Sequence, residues 1–165
     1  MTVQVAIRDG SETLALQGYL ESMAMIERLH RLLLDVIKDE FERLGVFEIN
    51  PVQALLLFNI AEHEVTAGEL KSRGYYQGSN VSYNLKKLVE MGYLHHQRSD
   101  VDRRSVRVKL TEKGLGLRGQ IGGLFRRHAG LLAAKAGVSV AGLEDVNQFL
   151  RRLERFWGEQ IRYIY

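Results

Sequence analysis

Apolar residues in the first third of the chain recur at steps of three and four: Ile26, Leu29, Leu33, Ile37, Phe41 and Leu44, with Met25, Leu32 and Val36 widening the stripe. That spacing is the period of an amphipathic helix. It predicts one long helix from residue 12 to residue 44, closed by Gly45, and leaves residues 1–11 as a mobile N-terminal arm. A stripe this wide calls for burial against more than one neighbour. Asn50-Pro51-Val52-Gln53 then reads as a helix start: a capping side chain, proline at the first helical position, and glutamine three residues after the cap. Ala54, Leu55, Leu57, Phe58 and Ala61 carry that helix inward. Thr66-Ala67-Gly68-Glu69 is a second capping box, opening a short helix that contains Leu70 and stops at Gly74.

From Ser79 the period of three to four returns. Val81, Leu85, Leu88 and Val89 share one face, and Ser79, Tyr83, Lys86 and Lys87 point away from it. Met91-Gly92-Tyr93-Leu94 ends the helix at a glycine and turns into a strand. Asp100-Val101-Asp102-Arg103-Arg104 forms a charged tip, and Val106, Val108 and Leu110 alternate with Arg107 and Lys109 on the way back. Three helices followed by a hairpin form a helix-turn-helix unit with an appended ribbon. A polar, lysine-bearing helix face suits the major groove of DNA, and an arginine tip the minor groove.

Thr111 caps the next helix, which runs to about residue 136 and holds Gly114, Gly116, Gly119, Gly122 and Gly123. Interior glycines cost about 1 kcal/mol each relative to alanine. The strip therefore serves either close packing against the long first helix or a pivot of the head. Ser139 caps a last helix with Val146, Leu150, Leu153, Trp157, Ile161 and Ile164 in a near-heptad stripe, broadened by Phe149 and Phe156. The terminal stripes carry more apolar surface than one small domain buries, and a two-fold dimer is the economical way to cover them. The expected fold is mainly α with a small β-hairpin wing. Residues 12–45 and 112–165 supply dimerisation helices, and residues 46–111 a DNA-binding head, in one integrated domain.

Charge sharpens this picture. The formal net charge is only +3, yet residues 71–113 hold 10 Lys and Arg against 4 Asp and Glu, while residues 1–70 hold 5 against 12. The basic block coincides with the helix and hairpin, where binding to phosphates needs it. With no cysteine, disulfides, thiol switches and thiolate zinc sites are excluded. Met1 to Ser11 lacks the apolar core of a signal peptide, and no apolar run approaches bilayer length, so a soluble, cytoplasmic protein without membrane contact is expected. No recognisable nucleophile, phosphate loop or metal motif points to an enzyme, and no cofactor is implied.

Ser79-Asn80-Val81-Ser82, Leu85, Leu88 and Met91-Gly92-Tyr93-Leu94, followed by Asp102-Arg103-Arg104 and Leu110-Thr111-Glu112-Lys113-Gly114, resemble the MarR family of bacterial winged-helix regulators. Flanking helices extend the resemblance over roughly nine tenths of the chain. Two positions depart from the family pattern. Ser99 stands where a first aspartate is frequent, and Tyr83 where arginine or a small residue is commoner.

The resemblance implies winged helix-turn-helix DNA binding, with Arg104 as the minor-groove arginine of the wing. Asp102 would orient its guanidinium through a charge-assisted bond, and Arg103 and Arg107 would meet phosphates. On the helix, Ser79, Asn80, Ser82, Tyr83, Lys86 and Lys87 are the candidates for base or phosphate contact, with Tyr83 and Lys86 nearest the centre of the exposed face. Ser79 fits a capping role equally well. Thr66, Lys71 and Arg73 are candidate backbone contacts. The family's small-molecule effector pocket lies between dimerisation helices and head, which here points to Met25, His30 and Phe58. Glu62-His63-Glu64, His95-His96, His30 and His128 are the residues that could form a metal set. No two histidines stand four apart on one helix, and adjacent strand histidines point to opposite faces, so no metal ligand is assigned.

The resulting expectation is a homodimeric regulator on a palindromic double-stranded operator, a repressor released by a small-molecule effector. The alternatives are a zinc-responsive regulator and a winged-helix protein-interaction module. The last of these predicts an uncharged recognition face.

Overall fold

A computed structural model describes residues 2–60, 65–72, 78–98 and 106–164. In chain order the elements are α1 (Thr2–Leu44), α2 (Pro51–Asn59), β1 (Val65–Thr66), α3 (Ala67–Ser72), α4 (Gly78–Glu90), β2 (Leu94–Arg98), β3 (Val106–Leu110), α5 (Glu112–Ala136) and α6 (Val140–Ile164). This is the mainly helical, winged arrangement that the pattern predicts. Residues up to Ile121 form one compact unit, and a second begins at Gly122.

The caps behave as their residue types dictate. Asn50 Oδ1 accepts from the Gln53 amide at 2.8 Å, while Gln53 Oε1 accepts from the Asn50 amide at 3.1 Å, satisfying two otherwise orphaned donors of α2. Thr66 and Glu69 repeat the box at α3, with distances of 3.1 and 2.7 Å. Ser139 Oγ accepts from the Gly142 amide at the start of α6. Gly45 and Gly92 end α1 and α4 with φ of 71° and 79°, a left-handed conformation that disfavours a Cβ. The Tyr93 amide bonds Leu88 O at 2.9 Å and the Gly92 amide bonds Val89 O at 3.0 Å, the paired bonds of a glycine-terminated helix.

The core lies in the first unit. Ile37 and Phe41 of α1 are buried with Leu56, Leu57 and Ile60 from α2 and its end, Leu70 of α3, and Val81 and Leu88 of α4. Val65, Leu94 and Val108 close it from the sheet, and Leu117 and Ile121 from α5. The sheet is antiparallel in the order β1-β3-β2, with Val65 and His96 opposite Val108, Thr66 and Gln97 opposite Arg107, and Leu94 opposite Leu110.

Three expectations change. α1 starts at Thr2 and not at residue 12: no proline interrupts residues 2–11, Gly10 alone is not enough to break a helix, and helix extension is cooperative. β1 is an additional strand, a two-residue pairing too short to show any alternation in sequence. Within the chain the glycine strip of α5 packs against nothing at Gly116 or Gly119, where a Cβ would meet nothing within 4 Å. The close approach occurs one step earlier. A Cβ at Gly114 would run into the Tyr93 carbonyl, against which α5 begins.

Large apolar side chains stay exposed on α1 (Leu14, Leu16, Leu20, Leu29 and Leu32) and, in the second unit, on α6 (Val146, Phe149, Leu150, Phe156 and Ile161). No helix among the described residues is long and apolar enough to cross a membrane.

Candidate nucleic-acid interface

α3 and α4 pack on each other, and α4 is anchored by Val81, Leu85 and Leu88, all buried. Anchoring one face fixes what the other presents. Asn80, Ser82, Tyr83 and Lys86 are exposed, Tyr83 to 61%, a large fraction for an aromatic ring. Asn84 faces inward instead, and its Nδ2 donates to Asn80 O at 2.9 Å, so its amide is used within the helix. Ser79 is the second residue of that helix.

The charges on α4 are paired. Lys87 Nζ lies 2.8 Å from Glu90 Oε2, and Lys86 Nζ lies 3.9 Å from Glu90 Oε1. The hydrogen bond from Lys87 holds the Glu90 carboxyl below the usual carboxylate range. The same bond raises Lys87. Glu90 was missed as a candidate site residue, though its spacing of three and four from the two lysines was there to read.

β2 and β3 form the base of the wing, with Arg107 and Lys109 exposed on β3. Asp102, Arg103 and Arg104, assigned to its tip, lie outside the described residues, as does Arg73. Thr66 Oγ1 is engaged as the cap of α3, and Lys71 lies on that helix.

A cluster unforeseen in sequence braces the wing's root. Glu48, in the α1–α2 connection, accepts from Tyr93 Oη at 2.5 Å and from Lys113 Nζ at 2.8 Å. Lys113 also caps the α4 corner through Met91 O at 3.0 Å and sits 4.2 Å from the centre of the Tyr93 ring. Thr111 Oγ1 donates to Gly92 O at 2.7 Å and accepts from the Gly114 amide at 3.0 Å. The two donors hold the Glu48 carboxyl below its usual range, Lys113 foremost. Burial and the neighbouring carboxylate push the Tyr93 hydroxyl well above its usual value.

The candidate effector residues stand on two helices, Met25 and His30 on α1 and Phe58 on α2. Met25 and His30 are exposed on α1, five residues apart and so on different sides of the helix. Phe58 is half-buried on α2, with the Arg118 guanidinium 5.8 Å from its ring centre. A cavity of about 230 Å³ opens at the α1–α2 corner, lined by Lys38, Phe41, Phe47, Ile49 and Pro51 among others, and none of the three candidates lines it. Among the described residues no group of three or more acidic and histidine side chains is placed to hold a metal ion.

Residues 49–114 match the winged helix DNA-binding domain family. The exopolysaccharide II synthesis transcriptional activator ExpG of Rhizobium meliloti (strain 1021) is 38% identical over 165 residues, which cover 94% of this chain and 79% of that protein. The crystal structure of a MarR transcriptional regulator from Methanosarcina mazei Go1 superposes with a TM-score of 0.65 at 25% identity, covering 81% of this chain and 94% of that one. A Staphylococcus aureus MarR in complex with salicylate and kanamycin superposes with a TM-score of 0.68 at 20% identity, covering 88% and 94%. With its exposed helix face, its hairpin and a relative aligned along nearly the whole chain, the protein belongs to the MarR family of winged-helix transcriptional regulators.

Proposed function

We propose that the protein acts as a homodimer on a palindromic operator, inserting α4 into successive major grooves and the wing into the flanking minor grooves. The observation that carries this reading is the outward face of α4: Asn80, Ser82, Tyr83 and Lys86 are exposed along one side of a helix whose opposite side is locked into the core. A protein-docking module would present an uncharged face there. The exposed apolar faces of α1 and α6 supply what a two-fold interface covers. Selection of bound fragments from genomic DNA tests the reading. Enrichment of a palindrome with half-sites about one helical turn apart is expected, and recovery of random sequence would overturn it.

We take regulation to be repression relieved by a small molecule that changes the spacing of the two heads. That the S. aureus MarR of this fold is in complex with salicylate and kanamycin supports small-molecule binding by such a scaffold. A second reading, activation, is favoured by the name of the R. meliloti relative. The two share one binding act and differ in where the operator lies relative to the promoter. A reporter carrying the selected operator separates them, since deletion of the protein raises expression under repression and lowers it under activation.

A further inference from the structure

On α4, Tyr83, Lys86 and Glu90 are spaced three and four residues apart. At about 100° per residue they fall on one stripe roughly 60° wide. Val81 and Leu88, opposite, are fully buried. The N-terminal residues of a recognition helix reach base edges, and later turns run out toward the backbone. The end of this stripe therefore meets phosphate, and there it carries a carboxylate between two lysines.

The helix macrodipole does not favour that carboxylate. Glu90 is the last residue of α4, at the negative end of the macrodipole, where an acid is unfavourable and a lysine favourable. Its position is explained by what it holds. One oxygen lies 2.8 Å from Lys87 Nζ and the other 3.9 Å from Lys86 Nζ. To a lysine ammonium, a carboxylate and a phosphate are the same kind of partner, an oxyanion. Both cannot be engaged at full strength, and a carboxylate left beside the DNA backbone also repels it.

We infer that Glu90 is a built-in rival of DNA phosphate, holding Lys86 and Lys87 in the free protein and so lowering sequence-independent affinity for duplex DNA. This rests on the reading of α4 as the DNA-contacting helix. Both ion pairs are solvent-exposed, so each is weak. The consequence is a moderate adjustment of affinity, applied at the place where non-specific binding originates. A regulator that must leave random DNA in order to find its operator gains from such a restraint.

The test compares wild type with Glu90→Gln on a random-sequence duplex between about 50 and 200 mM salt, the range over which phosphate contacts dominate. Glu27→Gln, an exposed acid on α1, makes the same change in net charge away from α4. At the lowest salt Glu90→Gln is expected to tighten binding about three- to tenfold. It is also expected to steepen the dependence of log affinity on log salt by about one to two, from one or two added phosphate contacts. Glu27→Gln should do neither. In a Lys86→Gln, Lys87→Gln background the gain from Glu90→Gln should vanish. Thermal melts of every variant confirm folding, which an exposed glutamine at a helix end preserves. Wild type that binds, with Glu90→Gln indistinguishable from it or matched by Glu27→Gln, overturns this inference alone. Wild type that binds no duplex even at the lowest salt overturns the DNA-binding reading, and this inference with it.

Discussion

Tyr93 donates its hydroxyl to Glu48 across 2.5 Å, joining the α4–β2 corner to the α1–α2 connection, 45 positions away in sequence. Lys113, in the first turn of α5, completes the junction from the third side. Each partner comes from an element that must keep a fixed relation to α4 if the helix and the wing are to read one duplex together. The tyrosine is nearly fully buried and its hydroxyl needs a partner there, which Glu48 supplies.

Tyr93→Phe tests the junction with the smallest change available. The ring and its stacking under Lys113 remain, and only the hydroxyl bond is lost. A net hydrogen bond of this sort contributes about 0.5–1.5 kcal/mol, so the melting temperature should fall by about 1–6 °C. Operator affinity should fall as well, because the wing root is less firmly placed. An unchanged melt with unchanged affinity would remove the junction from the mechanism.

The same group of residues sets a pH dependence. Glu48 has a lowered folded-state pKa, so its contribution is present above the ordinary carboxylate value and is lost as pH falls through the folded value. Tyr93 has a raised one, so its contribution is full below the ordinary tyrosine value near 10 and is lost as pH rises beyond that. Melting temperature against pH should therefore decline on both sides, and Tyr93→Phe should flatten the alkaline limb selectively. An alkaline limb identical in the mutant would contradict the assignment.

Phe149→Asp addresses assembly. Phe149 is 47% exposed on α6 in the isolated chain, so a carboxylate there costs the protomer little. In a dimer that buries this face, an unpaired charge is expensive. Sedimentation at micromolar concentration should show a wild-type dimer and a mutant monomer of unchanged helix content. A wild-type monomer, or a mutant that still dimerises, is incompatible with the proposed interface.

For the wing, Arg104→Ala should weaken operator binding by about 1–3 kcal/mol while leaving the melt unaltered. Asp102→Ala should weaken it less, through loss of the arginine's orientation. Duplex titration at fixed salt decides, and equal affinities would dismiss Arg104 as the minor-groove contact.

Much of the fold was legible because local chemistry specified it. Asn50-Pro51 and Thr66-x-x-Glu69 state their caps outright, and Val81, Leu85 and Leu88 declare which side of α4 is buried. What remained hidden was non-local. β1 exists only through its pairing with β3, and Glu48 becomes a site residue only when folding brings Tyr93 and Lys113 to it. Glu90 was hidden for a different reason. Its spacing from Lys86 and Lys87 is local, but an anion on a phosphate-binding face has a role only once the pairing is seen.

The glycines of α5 offer the sharpest contrast between a sequence pattern and a packed structure. In sequence, Gly114, Gly116 and Gly119 look like members of one strip. In three dimensions only Gly114 is under constraint, because a Cβ there would collide with the Tyr93 carbonyl oxygen and crowd a Leu110 methyl. The carbonyl cannot retreat easily, since it also accepts from the Thr111 amide at 3.1 Å. Gly114→Ala should therefore lose at least about 1–3 kcal/mol through overpacking and shift the wing relative to α5. Gly119 has open space around its Cα and an ordinary helical backbone. Gly119→Ala should gain about 0.4–1 kcal/mol by narrowing the unfolded ensemble. If the flexibility of α5 lets the head respond to a ligand, that same mutant should retain operator affinity while responding less to effector. Paired melts of the two alanine variants read the packing difference directly. A Gly114→Ala protein as stable as wild type would mean that α5 does not start against the Tyr93 carbonyl. A destabilised Gly119→Ala would mean that a second chain, not the protomer itself, closes over that position.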